Sequence, residues 1–300
     1  MQIVIAGATG FIGRRLVQQL TDHGHSITVL SRNAAAATAL EGNHVQVVEW
    51  GAGWGACLDG ADAVVNLAGA PIADRRWTAR RKHLLLQSRV ETTRSIVAAM
   101  AQARRKPSVL INGSAVGYYG PTTSPVDETA APGSDFLARI CVAWEAEAHK
   151  AEAFGTRVVC LRTGVALGPR GGALGRMMLP FRLFAGGPLG SGQQAFPWVH
   201  LDDVVGLIDF ALTNPRVEGP LNAVAPQSLT NRQFARALGR SMGRPSWLPA
   251  PAFALRLALG EMADAMLLSG QFVAPAAALQ HGYTFQHPDV DEALTAIREA

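Results

Sequence analysis

The chain has 300 residues, 48% of them hydrophobic, enough to bury a core in one large domain or in a domain with a smaller lobe. A net charge of +4, with Lys and Arg gathered only at Arg75-Arg76, Arg80-Arg81-Lys82 and Arg104-Arg105-Lys106, excludes a nucleic-acid track and reads as solvated helix faces. Three cysteines (Cys57, Cys141, Cys160) without CxxC spacing read as free thiols in a reducing compartment, and the longest apolar stretch, Phe253 to Leu268, is broken by Arg256, Glu261 and Asp264.

In chain order, "QIVIAG" is an apolar run ending in Gly, a buried-strand signal. "FIGRRLVQQLTDHG" switches to helical period, with Ile12, Leu16 and Leu20 on one stripe and Gly24 as its stop. "HSITVLSR", "VQVVEW" and "DAVVNLAG" are the next three strands. "TTRSIVAAMAQA" is helical, "SVLINGSA" a fifth strand, "ICVAWEAEAHKAEAFG" a helix and "TRVVCLRTG" a sixth strand. Nearly all-apolar strands alternating with helices predict an α/β fold whose parallel sheet is covered on both faces. After Gly164 the rhythm changes to Gly, Pro and Met, then "LDDVVGLIDFAL" returns to helical period, and Pro-punctuated helices follow from Pro245. The expected division is a nucleotide-binding domain over 1–165 plus about 200–225, and a smaller lobe over about 166–199 plus 226–300. No signal segment precedes the first strand, so the expectation is a soluble, cytoplasmic protein without membrane or nucleic-acid partners.

Gly7, Gly10 and Gly13 follow a strand and open a helix in G-x-x-G-x-x-G spacing. Glycine serves there for a tight turn, close backbone approach to a pyrophosphate, and close helix–sheet packing, while the helix N-terminus offers oriented N–H donors. The second strand ends in Ser31-Arg32, with no acid for a ribose 2′-hydroxyl and a guanidinium for a 2′-phosphate. That favours NADP(H) over NAD(H).

Further motifs carry a resemblance. G-A-T-G-F-I-G at Gly7–Gly13, N-L-A-G at Asn66–Gly69, Y-G-P at Tyr119–Pro121, L-R-T-G…G-P from Leu161 to Pro169, and W-V-H-L-D-D at Trp198–Asp203 resemble the extended short-chain dehydrogenases/reductases, the NAD-dependent epimerase/dehydratase family. The resemblance covers about Met1 to Val224. R-R-W at Arg75–Trp77, S-R-V at Ser88–Val90, C-x-x-W-E at Cys141–Glu145 and the extra C-terminal region are similar to its atypical branch known as "epimerase family protein". It implies a doubly wound Rossmann sheet with a small C-terminal substrate lobe. It also implies Gly7, Thr9, Gly10, Phe11, Ile12 and Gly13 as the pyrophosphate loop, Asn66, Leu67, Ala68 and Gly69 as the strand end beside the adenosine ribose, and Arg162 and Ser114 as cofactor-side residues. Trp198 and His200 match the loop that returns to the sheet.

The resemblance also implies a Ser/Thr and a Tyr-x-x-x-Lys relay, and this sequence departs from it. The Ser/Thr position falls on Ala115, and the Tyr/Lys pair reads Phe136/Ile140 or Leu137/Cys141, depending on the anchor. Tyr118, Tyr119 and His200 are therefore the candidate proton donors, with Lys82 and Cys141 as further available groups. Three readings follow: an oxidoreductase acting on a small carbonyl or hydroxyl compound with another donor, a non-catalytic NADP(H) redox sensor or binding protein, and a nucleotide-sugar epimerase or dehydratase. Arg75, Arg76, Trp77 and Arg89 suggest a site for a substrate carboxylate or phosphate. Gln194 and Trp198 lie in a loop able to reach ligand, and Asp202 and Asp203 are expected to cap the following helix. No HxxxH or HxH spacing marks a metal set. The substrate is unread, and the oligomeric state is open, with a homodimer one option.

Overall fold

The apolar runs of the first half pair with one another in parallel. The computed structural model describes residues 1–40, 42, 44–169 and 171–300. Its strands are β1 (Gln2–Ala6), β2 (Ser26–Ser31), β3 (Val45–Glu49), β4 (Ala63–Asn66), β5 (Val109–Ala115), β6 (Arg157–Thr163), β7 (Val165–Leu167), β8 (Trp198–His200) and β9 (Gly219–Ala223). One seven-stranded sheet runs β3-β2-β1-β4-β5-β6-β9 with every pairing parallel, and β7 and β8 pair separately. The helices are α1 (Phe11–Asp22), α2 (Ala34–Ala37), α3 (Ala79–Gln102), α4 (Phe136–His149), α5 (Leu174–Arg182), α6 (Leu201–Thr213), α7 (Asn231–Met242), α8 (Ala252–Leu259), α9 (Glu261–Met266), α10 (Ala276–Gln280) and α11 (Val290–Glu299). This is the doubly wound α/β order of a Rossmann fold.

Period-two alternation decides the layers. Ile3, Ile5, Ile27 and Val29 face Leu16, Val17 and Leu20 of α1 and Val204, Leu207 and Ile208 of α6. Val4, Ala6, Val64 and Leu110 face Ile96, Val97 and Met100 of α3 and Ala148 of α4. Leu167, Phe181, Trp198, Phe234, Leu238 and Leu294 build a further core from β7, α5, β8, α7 and α11, with Phe196 stacked on Phe234 at 4.0 Å between centroids. Among the described residues no helix is long and apolar enough to cross a membrane.

The boundaries differ from expectation in three places. The first long helix begins at Ala79 and not at Thr92, because Thr78 caps it by accepting from the Arg81 N–H. Helix α4 begins at Phe136 and not at Ile140, capped in the same way by Asp135, whose carboxylate accepts from the Ala138 N–H. Strand β9 was hidden by Pro220 and Asn222, which interrupt its apolar run; an edge strand tolerates the proline.

Candidate cofactor and active site

The sheet order reverses between β1 and β4, so the loops leaving their carboxyl ends diverge and open a crevice there. On one side lies the glycine loop. Gly7 has φ +85°, and a Cβ on it would stand 2.7 Å from the Leu67 carbonyl carbon. A Cβ on Gly13 would stand 2.3 Å from the Gly7 carbonyl oxygen. Both positions are closed to side chains by backbone, which lets α1 press against the turn. Gly10 is the exposed N-cap of α1, and no side chain caps the helix. The first-turn N–H groups, including those of Phe11, Ile12 and Gly13, are thus oriented for an anion. Thr9 is half-buried, and its carbonyl accepts from Arg14 Nε. The Phe11 ring lies under the glycines after β7, close enough that a Cβ on Gly172 would meet it at 2.8 Å. The segment after β7 thus packs on the first residue of α1.

At the end of β2, Ser31 Oγ donates to the Asn33 carbonyl and accepts from the Asn33 N–H, fixing the turn. Arg32 is exposed and has no hydrogen-bond or ion-pair partner among the described residues. Across the crevice, Leu67, Ala68 and Gly69 present backbone at the β4 edge, half-buried to exposed. Asn66 itself is fully buried: its amide donates to Thr93 Oγ1 and Asn112 Oδ1, both at 2.8 Å, and its Oδ1 accepts from the Ala68 N–H. Trp144 Nε1 closes this network on Thr93 Oγ1. The Asn66 side chain therefore shapes the strand end from beneath.

A second buried network runs along the same layer. Ser114 and Arg162 are register partners on β5 and β6, and Arg162 and Asn222 on β6 and β9. Glu145 on α4 receives Ser114 Oγ at 2.6 Å, Arg162 Nε at 2.9 Å and Arg162 Nη2 at 2.8 Å. Arg162 Nη1 donates to Tyr119 Oη at 3.0 Å, and Tyr119 in turn donates to Asn222 Oδ1 at 2.7 Å. Burial opposes the Arg162 charge, but Glu145 more than offsets it and holds the guanidinium above its ordinary pKa. Burial pushes the Tyr119 phenol up to about 12, and Arg162 only partly counters this. Ser114 and Arg162 were expected beside the cofactor; their polar atoms are committed to this interior chain.

The three candidate donors differ sharply. Tyr119 is buried and its proton is held by Asn222. His200 is also buried; it caps α6 by accepting the Asp202 N–H at its Nδ1. Asp202 and Asp203 therefore stand in the first turn and are not the cap: Asp202 pairs with Arg15, while Asp203 accepts from the Gln286 and His287 N–H groups. Burial and the neighbouring His287 lower His200 to about 4. Tyr118 is half-buried, its ring faces the Arg162 guanidinium at 3.4 Å from Cζ to centroid, and its hydroxyl has no partner among the described residues. At the expected relay positions, Leu137 packs under Gly117 and Cys141 is buried against the Ala115 carbonyl. Burial and Glu145 push that thiol up to about 11.

The His200 shift has a testable consequence. Its folded pKa of about 4 lies below the ordinary 6.5, so at intermediate pH the unfolded chain binds a proton that the fold refuses. Stability is complete above about pH 6.5 and is lost as pH falls, on the order of 2 kcal/mol from this group. His200→Asn keeps a capping side chain but does not titrate. It is expected to flatten the stability difference measured by urea unfolding between about pH 7 and about pH 5.

Of the substrate-side candidates, Arg75 and Arg76 are exposed, with 81% of the Arg75 side chain accessible. Trp77 donates Nε1 to the Ile72 carbonyl and meets the Phe136 ring edge-on at 5.1 Å. Arg89 lies against Gly69. Gln194 holds the Leu189 and Leu267 carbonyls, and Trp198 is fully buried with its N–H on the Gln227 carbonyl. The polar groups of both are thus committed to main-chain carbonyls. His200, Asp202 and His287 place one donor atom each within 4.8 Å of one another, a set that local spacing could not reveal. Arg15 already occupies Asp202, and the Asp202 N–H occupies His200 Nδ1. The sequence did not reveal Glu145 as the partner of Arg162; an acid set beside Cys141 and Trp144 on the apolar side of α4 is the available signal.

Comparison with known proteins places this geometry. The NAD dependent epimerase/dehydratase family matches residues 3–224, and a domain of unknown function, DUF1731, matches residues 250–297. The chain is 44% identical over 306 residues to the chloroplastic epimerase family protein SDR39U1 homolog of Arabidopsis thaliana, covering 100% of this chain and 87% of that protein. It superposes on the crystal structure of human epimerase family protein SDR39U1 with NADPH at a TM-score of 0.89 and 38% identity, covering 100% of this chain and 99% of that one. A UDP-glucuronic acid 4-epimerase from Bacillus cereus, in complex with UDP-glucuronic acid and NAD, shares the fold at a TM-score of 0.79 and 18% identity over 100% of this chain and 98% of that one. With the glycine cradle, the reversed strand order and a family match across most of its length, this chain belongs to the NAD dependent epimerase/dehydratase family.

Proposed function

We propose that the protein is an NADP(H)-dependent oxidoreductase acting on a small carbonyl or hydroxyl compound, with Tyr118 as its proton donor. The NADPH bound to the human relative supports the cofactor assignment, and the residues here fit it. Gly7–Gly13 with the α1 N-terminus would hold the pyrophosphate. Ser31 and Arg32, which has no partner among the described residues, would hold the 2′-phosphate, and the Leu67–Gly69 backbone would line the opposite wall. When bound, NADPH supplies a hydride to a carbonyl carbon.

The observation that carries the reading is the contrast between the two tyrosines. The Tyr119 hydroxyl keeps its proton in a hydrogen bond to Asn222 Oδ1, whereas the Tyr118 hydroxyl has no partner among the described residues and stands just past the carboxyl end of β5, where such sites lie. Its proton goes to the carbonyl oxygen as the hydride reaches the carbon, and the stacked Arg162 holds the ring in place. Screening carbonyl compounds for NADPH oxidation and then comparing two variants tests this. Tyr118→Phe is expected to lower kcat at least ~100-fold. Tyr119→Phe keeps kcat within a few-fold and loses about 1–2 kcal/mol of stability, because it strips a partner from buried Asn222. Equal activity of Tyr118→Phe and wild type would remove the donor assignment. That Leu137 has no ionisable group, and that burial pushes the Cys141 thiol up to about 11, favours a second reading, a redox sensor that holds NADP(H) without turnover. In either case we place the protein in the cytoplasm, with residues 1–165 and about 200–225 as the nucleotide domain and the remainder as a lobe over it.

A further inference from the structure

The loop that carries Tyr118 is held by the far end of the chain. Residues 118–133 lead from the turn after β5 toward α4 and pair with no strand of either sheet. The loop shuts at its base, where the Gly133 N–H donates to the Tyr118 carbonyl at 2.8 Å. A Cβ on Gly133 would stand 2.8 Å from the Gly120 Cα, so the two ends press backbone to backbone. An irregular loop of this length needs partners for its main-chain groups. Residues 270–277, inside the C-terminal region matched by DUF1731, supply them. The Thr122 N–H donates to the Gly270 carbonyl at 3.1 Å, and the Phe272 N–H to Thr122 Oγ1 at 2.8 Å. The Val126 N–H donates to the Phe272 carbonyl and the Ala274 N–H to the Val126 carbonyl, both at 2.8 Å, a parallel bridge between Val126 and Val273. Val273 is buried with Val116, Tyr119 and Val224, and Tyr118 and Val126 pack against the same group.

One side chain ties both segments to the sheet. Glu128 Oε1 accepts the Asn222 N–H of edge strand β9 at 3.0 Å, and Oε2 accepts the Ala277 N–H in the first turn of α10 at 3.2 Å. Asn222 Nδ2 donates to the Ala274 carbonyl at 2.9 Å, while its Oδ1 accepts from Tyr119 Oη. The Glu128 carbonyl accepts from Arg162 Nη1, on the guanidinium that lies against the Tyr118 ring. Among the described residues the Glu128 carboxylate has no cation partner, and burial raises its pKa, so its charge is spent on two backbone donors. A carboxylate suits this task because both oxygens accept; an amide would turn an N–H toward one of the two donors.

We infer that the C-terminal region is part of the active site: residues 270–277 clamp the Tyr118 loop against the sheet, and Glu128 is the positioning residue that sets where the Tyr118 hydroxyl stands. Glu128 acts through the loop and Arg162 and not on the reacting atoms. The catalytic meaning of the clamp rests on the Tyr118 reading above; its existence does not.

Nuclear magnetic resonance of the full chain with ring-labelled tyrosine tests it, followed by turnover. The chain has three tyrosines, Tyr118, Tyr119 and Tyr283, so a Tyr→Phe variant of each assigns its signal. Glu128→Gln is expected to shift the Tyr118 signal as the ring moves on Arg162, and to leave Tyr283, which bonds Asp203, in place. In carbonyl reduction kcat falls at least ~tenfold, while NADPH affinity stays within about twofold. Thr122→Val, which removes only the acceptor of the Phe272 N–H, moves both readouts in the same direction by less. An unmoved Tyr118 signal in both variants overturns the clamp. A moved signal with unchanged kcat overturns the positioning role of Glu128, and so does a loss of NADPH affinity equal to the loss in kcat, which marks general loosening of the fold. If Tyr118→Phe keeps full activity, the donor reading fails, and the resonance shifts still decide whether the clamp exists.

Discussion

Glu145→Ala is expected to cost about 3–5 kcal/mol of folding stability, read as a lower urea midpoint with little change in slope. The carboxylate is buried, and it alone meets the Arg162 guanidinium through two parallel hydrogen bonds while also accepting from Ser114. Removing it leaves a cation with 4% side-chain exposure facing Tyr119, the Tyr118 ring and the Glu128 carbonyl, with no carboxylate among the described residues to meet it. It also releases the ring of Tyr118, which Arg162 holds by its face. Glu145→Gln keeps an acceptor and the volume, so its loss is smaller, yet it still leaves the charge uncompensated. A Glu145→Ala protein as stable as wild type would mean that the layer beneath the crevice is not held by this pair.

Gly13→Ala is expected to weaken NADPH binding by about 2–3 kcal/mol, roughly 30–150-fold, and to lower stability by about 1–3 kcal/mol. The added carbon meets the Gly7 carbonyl oxygen at 2.3 Å and the Ala8 Cα at 2.6 Å. These are backbone atoms and no rotamer relieves them, so α1 must tilt away from the loop that it caps. The N–H groups of the first turn move with it. Gly24→Ala is the control for a glycine substitution: unlike Gly13 it has a positive φ, and no described atom lies within 4 Å of its Cβ, so it costs local strain without touching the crevice.

The sheet was legible because its strands are short apolar runs buried on both faces, and β1, β2, β4, β5 and β6 all have that form. The glycine cradle was legible for a related reason, since backbone contact forces a residue type. What escaped depends on register and long-range pairing. Arg162 reads as a loop-leading cation until β5, β6 and β9 set Ser114, Arg162 and Asn222 side by side beneath Glu145. Asn66 reads as a strand-end contact until Asn112 stands opposite it. Trp198 reads as a loop aromatic able to reach ligand until Phe181, Phe234 and Leu238 enclose it. Arg81 reads as one of a solvated basic run until the Pro71–Asp74 turn folds onto it.

Nucleotide binding is the claim from which the rest follows. Calorimetric titration of the full chain with NADPH and NADH, beside Arg32→Glu, tests it most directly. The account predicts NADPH binding at least ~tenfold tighter than NADH, with that preference abolished in Arg32→Glu, where a carboxylate would face the 2′-phosphate. Binding of neither nucleotide by the wild type would contradict it.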